Sequence, residues 1–265
     1  MKRSSAGTDA TTSKRASTRI AIMLERLSEY LDWDSENRPS FIDALVATVL
    51  SQNTTDVNSG RAYAKLGDAY SSWDDVADST LAQLAATIRE AGLAEQKATT
   101  IIAALNALRD KHGSLELAGI DRIGDTELLD ELTSLKGIGL KTASCVLMFA
   151  LGRDLCAVDT HIHRVANRVG IVTTTNPDRT FEALRLLIPP GQARNLHVAL
   201  IRFGRRICKS QRPHCFDCPL FDLCEWELKE QFAREAKPGA RAASGDVVLA
   251  DILRNAPKRP RSRRT

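Results

Sequence analysis

Aromatic residues are scarce, at 5 % of the 265 positions. No uninterrupted apolar run approaches the ~20 residues that cross a bilayer, which excludes a membrane-spanning helix and predicts no membrane partner. No stretch alternates apolar and polar residues with period two, so no strand is predicted. The opening MKRSSAGTDATTSKRAS has no apolar core and does not read as a secretory signal. A strong excess of one charge is missing as well, the net charge being only +4. That small figure hides an uneven distribution. Residues 1–17 carry +3, and residues 257–265, PKRPRSRRT, carry +5. Taking those eight charges from +4 leaves −4 for the body of the chain. Polyanion binding by the body would have to come from local patches and backbone donors, while the basic ends add either sequence-blind affinity or solubility.

Hydrophobic residues make up 43 % of the chain, with alanine and leucine abundant, which favours helices. Ile20, Met23, Leu24, Leu27 and Leu31 fall on one helical face. Phe41 to Leu50 is almost wholly apolar and reads as a buried helix. Further helices are predicted over 59–67, 80–91, 96–111, 125–135, 141–151, 160–169, 178–187 and 193–203. Gly67, Gly92, Gly113, Gly137, Gly152 and Gly170 stand where helices should stop. The predicted fold class is all-α. Beyond Trp226 the chain turns charged, with room for one short helix in GDVVLADILRNAP.

Only KGIG separates two of these helices. Gly137 and Gly139 permit a tight reversal, and the free N–H groups at the start of the second helix suit a phosphate. Taken alone, a G-x-G between helices is also an ordinary turn. Lys141 then sits in the first helical turn, where the dipole disfavours a cation. Taken alone, the lysine is an exposed side chain bearing a mild cost; otherwise a bound phosphate offsets that cost, or the site favours the neutral amine, which is a nucleophile. Asp159 precedes another helix and reads as its N-cap, a position that also holds a carboxylate ionised and aimed outward.

CKSQRPHCFDCPLFDLC places Cys208, Cys215, Cys218 and Cys224 in a C-x6-C-x2-C-x5-C array. Without a secretion signal a metal site is the better reading than disulfides. Zinc is the generic guess, but this spacing suits an iron–sulfur cluster on four thiolates. Lys209, Arg212 and His214 lie between the first two cysteines and make the loop a candidate phosphate contact. Cys145 and Cys156 sit among apolar residues and read as core.

Together, LKGIGLKTASCVLMFALGRDLCAVDTHIHRVANRVG, the four-cysteine array, VLSQNTTD and GLAEQKA resemble the endonuclease III-type DNA glycosylases, over about residues 20–226. The resemblance implies two helical domains flanking a DNA-binding groove. Residues 38–152 would form a six-helix domain ending in the helix-hairpin-helix. Residues 153–228 would form a cluster domain, with an N-terminal helix at 18–37 packed on it. Residues 1–17 and 229–265 would be basic tails, mostly disordered. It further implies that Lys141 is the Schiff-base nucleophile and Asp159 its partner carboxylate. Gly137 and Gly139 would bind phosphate, and Asn53 with Gln52 beside it would fill the hole left by a flipped nucleotide. Leu93 would wedge into the opposite strand, His161 would lie near the lesion, and Lys209 and Arg212 would contact DNA. The four cysteines would hold a [4Fe–4S] cluster. Lys136, Asn53 and Ala94 depart from the commonest pattern of the family, at the hairpin, the gap filler and the wedge respectively.

The implied activity is excision of oxidised pyrimidines followed by strand cleavage at the abasic site. The partner would be double-stranded DNA with damaged pyrimidines or abasic sites, the protein a monomer, and its place the bacterial cytoplasm, at the nucleoid. Two other readings compete. The related mispair adenine glycosylase lacks the hairpin lysine and carries a catalytic glutamate before its glutamine pair, whereas LVATVLSQNTT has no acid between Asp43 and Asp56. A non-catalytic iron–sulfur DNA-binding protein would need neither Lys141 nor Asp159.

Overall fold

A computed structural model of the protein describes residues 10–31, 38–235 and 248–254. Among these residues every regular element is helical. The chain divides into two compact units, one of residues 1–32 and 154–246, the other of residues 33–153 and 247–265.

The second unit contains α2 (Phe41–Ser51), α3 (Asp56–Ala69), α4 (Trp73–Ala77), α5 (Leu81–Thr87), α6 (Ala94–His112), α7 (Asp125–Ser134) and α8 (Leu140–Leu151), together with α13 (Leu249–Arg254). Its centre is the pair α2 and α8, which pack on each other. Both are apolar on nearly every face, as helices at the middle of a bundle must be. All of α2 from Phe41 to Leu50 except Asp43 is buried, as is α8 from Thr142 to Phe149. α2, α3, α4 and α5 start at side-chain caps that satisfy free N–H groups. Ser40 accepts from the Asp43 amide at 3.1 Å, and Ser72/Asp75 and Thr80/Gln83 form reciprocal capping boxes. α13 lays Val248, Leu249, Ala250, Ile252 and Leu253, all buried, on this unit, against α2 and α3.

The first unit contains α1 (Ala10–Arg26), α9 (Thr160–Arg168), α10 (Pro177–Leu184), α11 (Ala193–Arg206), α12 (Lys229–Arg234) and the four-cysteine loop. Its core helix is α11, buried from Leu196 to Gly204. Ile20 and Met23 of α1 and Leu27 just after it are fully buried in this unit, and α1 packs on α11. The buried Arg202 is tolerated in that core because it donates to the Tyr30 carbonyl at 2.7 Å.

Several boundaries differ from the expected ones. α1 begins at Ala10, within the segment expected as a tail. The remaining expected tail residues, 1–9, 236–247 and 255–265, lie outside the described residues. The predicted helix 80–91 is α5 followed by a separate 3-10 turn at Arg89–Ala91. Gly67 does not end α3, because burial of Leu66 and the Tyr70 amide bond to the Leu66 carbonyl carry the helix past it. α4 has too short an apolar pattern to be read from periodicity.

Candidate nucleic-acid interface

The hairpin between α7 and α8 is pinned from below and open above. Ile138 is buried, while Lys136, Gly137 and Gly139 on either side are exposed. Gly137 has φ +89°, and a Cβ there would meet Thr100 Oγ1 at 2.5 Å, so both backbone and space demand glycine. Gly139 caps α8 without a side chain, leaving the first N–H groups of the helix uncovered. A Cβ on Gly139 would meet nothing within 4 Å. This is an open, positively polarised helix mouth, the geometry that binds phosphate oxygens. Lys141 lies in the first turn of α8 and is exposed.

Gln52 and Asn53, expected to share one task, are separated by the structure. Gln52 donates to the Gly137 carbonyl and to Thr142 Oγ1, each at 3.1 Å, and so braces the hairpin. Asn53 is exposed, in a left-handed conformation with φ +51°. Leu93 is left-handed too, with φ +48° and 54 % exposure for a large apolar side chain at the start of α6. A leucine in that region carries ~1–2 kcal/mol of strain. Strained, exposed residues held by a rigid frame mark functional positions more often than structural ones. Behind both stands Lys97, 2 % exposed, with Nζ donating to the Leu50 and Ala91 carbonyls at 2.7 Å each.

In the first unit Asp159 caps α9, its Oδ1 accepting from the Ile162 amide at 2.9 Å. His161 is half-buried, with Arg164 Nη2 at 3.1 Å from its Nδ1. Burial pushes the His161 imidazole below its ordinary value, partly opposed by Asp159.

The cysteine loop has only a 3-10 turn, at Cys215–Asp217, and is held by side chains. Arg168 donates to the Lys209 carbonyl at 2.8 Å, approaches Cys208 Sγ at 3.6 Å and lies 3.7 Å from the Trp226 ring centroid. Lys229 donates to the carbonyls of Cys224 and Phe221 at 2.7 and 2.9 Å. Arg19 and Arg26 of α1 pair with Glu225 and Asp222. Arg212 is exposed and left-handed, with φ +48°, whereas Lys209 is half-buried and His214 stacks on Phe216.

Among the described residues no group of His, Cys, Asp or Glu side chains stands at metal-ligand geometry. Cys208, Cys215, Cys218 and Cys224 do line one small common cavity, with Arg168, Trp226 and Lys229 among its walls. Burial, reinforced by the neighbouring thiols, pushes Cys215 up to about 11 and Cys218 up to about 12. Four crowded thiols without a hard donor among them fit a thiophilic metal centre, whose positive charge would deprotonate them.

Residues 46–190 match the family described as HhH-GPD superfamily base excision DNA repair protein. The chain belongs to that superfamily. A relative within it, the Endonuclease III of Thermotoga maritima, is 39 % identical over 182 residues, which cover 69 % of this chain and 81 % of the relative. A solved non-covalent Endonuclease III–DNA complex superposes with a TM-score of 0.69 at 30 % identity, covering 83 % of this chain and 99 % of that one. A trapped Endonuclease III–DNA covalent intermediate superposes with a TM-score of 0.68 at 31 % identity, covering 81 % and 98 %. This chain is thus a DNA glycosylase of the endonuclease III type, with abasic-site lyase activity. The HhH-GPD match takes in the hairpin, Lys141 and Asp159 but ends before the cysteine loop.

Two groups of residues were not found by reading the sequence. Arg168 and Lys229 grip the cysteine loop through carbonyl oxygens, which leave no trace in spacing. Lys97 lies inside GLAEQKA, and a lysine on the buried face of α6 was the available signal.

Proposed function

We propose that the protein excises oxidised pyrimidines from duplex DNA and cleaves the strand at the resulting abasic site, with Lys141 as nucleophile. The observation that carries the reading is Lys141 exposed in the first turn of α8, directly after an uncapped glycine hairpin. A backbone cradle there binds phosphate and sets the amine beside the sugar. Lys141 Nζ attacks C1′, forming a C–N bond as the base leaves with the glycosidic electron pair. Opening of the sugar gives an imine. Loss of a proton from C2′ then expels the 3′ phosphate oxygen by β-elimination. Asp159, held by its cap hydrogen bond, is assigned to stabilise the cationic sugar as the base departs. Asn53 and Leu93 are assigned to the two strands at the gap, Gln52 to bracing the hairpin, His161 to the lesion side, and Gly137, Gly139, Lys209 and Arg212 to phosphates.

Cys208, Cys215, Cys218 and Cys224 are assigned as the ligands of one [4Fe–4S] cluster, with Arg168 and Lys229 tying down the loop around it. When bound, the cluster supplies four strong cross-links to a loop that has almost no regular structure. The proposed working form is a monomer acting at the bacterial nucleoid.

Duplexes each carrying one defined lesion test the reading. Excision of oxidised pyrimidines in preference to adenine opposite a mispaired base is expected, and the reverse preference would contradict it. Asp159→Asn should slow base release at least ~100-fold while slowing cleavage of a pre-formed abasic site far less, because there the glycosidic bond is already gone.

A further inference from the structure

Lys97 is an expensive residue to keep. An ammonium buried to 2 % exposure loses its hydration, and an apolar side chain on this face of α6 would pack without that cost. Its contacts indicate what is gained. Nζ donates to the Leu50 carbonyl, near the end of α2 and two residues before Gln52. It donates equally to the Ala91 carbonyl, at the end of the 3-10 turn that leads into Gly92 and Leu93. The Lys97 backbone amide donates to the Leu93 carbonyl at 3.0 Å. One residue therefore grips the chain on both sides of the strained Gly92–Leu93 pair and reaches across to the stem of the Asn53 turn. Both carbonyl partners belong to helix ends, where the peptide dipoles favour a cation. Asn53 and Leu93, the two left-handed exposed non-glycine residues among the described residues of this unit, stand just beyond the two grips.

We propose that Lys97 is a positioning residue that fixes the Asn53 turn and the Leu93 turn relative to each other, so that both enter the duplex as one rigid device. This rests on the reading of Asn53 and Leu93 as the residues that enter DNA. Lys97 touches no substrate atom. It holds two strained turns in register before DNA arrives, so nucleotide flipping does not have to order them.

The test is a double-mutant cycle in single-turnover excision from a duplex with one oxidised pyrimidine. Lys97→Met keeps an unbranched apolar stem but loses the donors, and should slow excision about tenfold or more. Borohydride trapping on an abasic site in a single-stranded oligonucleotide should stay within about twofold of wild type, because no opposite strand awaits the wedge. In a Leu93→Ala background the same substitution should cost less than about threefold, because the turn it positions has lost its working side chain. Equal slowing on duplex and single strand, or full additivity with Leu93→Ala, would overturn the proposal. A wild-type rate for Lys97→Met on duplex would overturn it too. If Lys97→Met does not fold, Lys97→Gln, which keeps an N–H donor group but falls one bond short, carries the same cycle with the same outcomes. Wild-type protein that neither excises nor traps would remove the functional reading and this inference with it, whereas an active wild type with an indifferent Lys97 removes the inference alone.

Discussion

The hairpin of the second unit and the cysteine loop of the first both turn backbone toward solvent, but they are held in shape by different means. The hairpin is a backbone construction. Gly137 is left-handed against Thr100, Ile138 plugs the core beneath it, and Gln52 ties down its carbonyl. The cysteine loop has little helix and little room for a core. Cationic side chains, Arg168 and Lys229 above all, bind its carbonyls, and its four cysteines line one small cavity. A backbone device tolerates surface change and fails when its glycine gains a side chain. A cross-linked loop tolerates surface change and fails when a ligand is lost.

The largest effect should therefore come from the loop. Cys215→Ser removes one of the four proposed ligands and should drop iron well below four per chain, lowering the melting temperature by about 10 °C or more. Iron analysis with thermal melting checks this, and retention of full iron and full stability would put the ligand set elsewhere. A smaller and more local effect is expected at the hairpin. Gly137→Ala must displace Thr100 and strain the turn, and should weaken duplex binding about tenfold while iron content is unchanged. Loss of iron in that variant would erase the contrast between the two regions.

The contrast also marks what could be read from the sequence. LKGIGLK is legible because backbone demand for glycine writes itself into residue identity, and the cysteine array is legible because four cysteines in so short a segment stand out by spacing alone. The split between Gln52 and Asn53 was not legible, since both are amides and only the fold turns one toward Gly137. Arg168, Lys229 and Lys97 escaped for a related reason. Each bonds to main-chain carbonyls, so no partner residue type accompanies it along the chain. The helices of the central pair α2 and α8 were plain from their apolar runs, whereas α4 depends on a capping box and tertiary packing that periodicity does not reveal.

The smallest effect concerns stability against pH. Burial alone lowers the Lys97 ammonium from 10.5 to about 8. Between those values the unfolded chain binds more protons than the folded one, so stability should rise with pH across that window. The cost of burying the charge is fully present below about 8 and is relieved above it. Lys97→Met should flatten this rise in chemical denaturation measured from pH 7 to pH 10, and an unchanged slope would place the titrating group elsewhere.

The central claim is that Lys141 performs the covalent chemistry. Borohydride reduction during turnover on a duplex with one oxidised pyrimidine tests it most directly. Wild-type protein should be captured as a covalent protein–DNA adduct. Lys141→Gln keeps the polarity and most of the length of the side chain but has no nucleophilic amine, so it should still bind damaged DNA and give no adduct. An undiminished adduct with Lys141→Gln would show that another amine attacks the sugar, leaving Lys141 a phosphate contact at the mouth of α8.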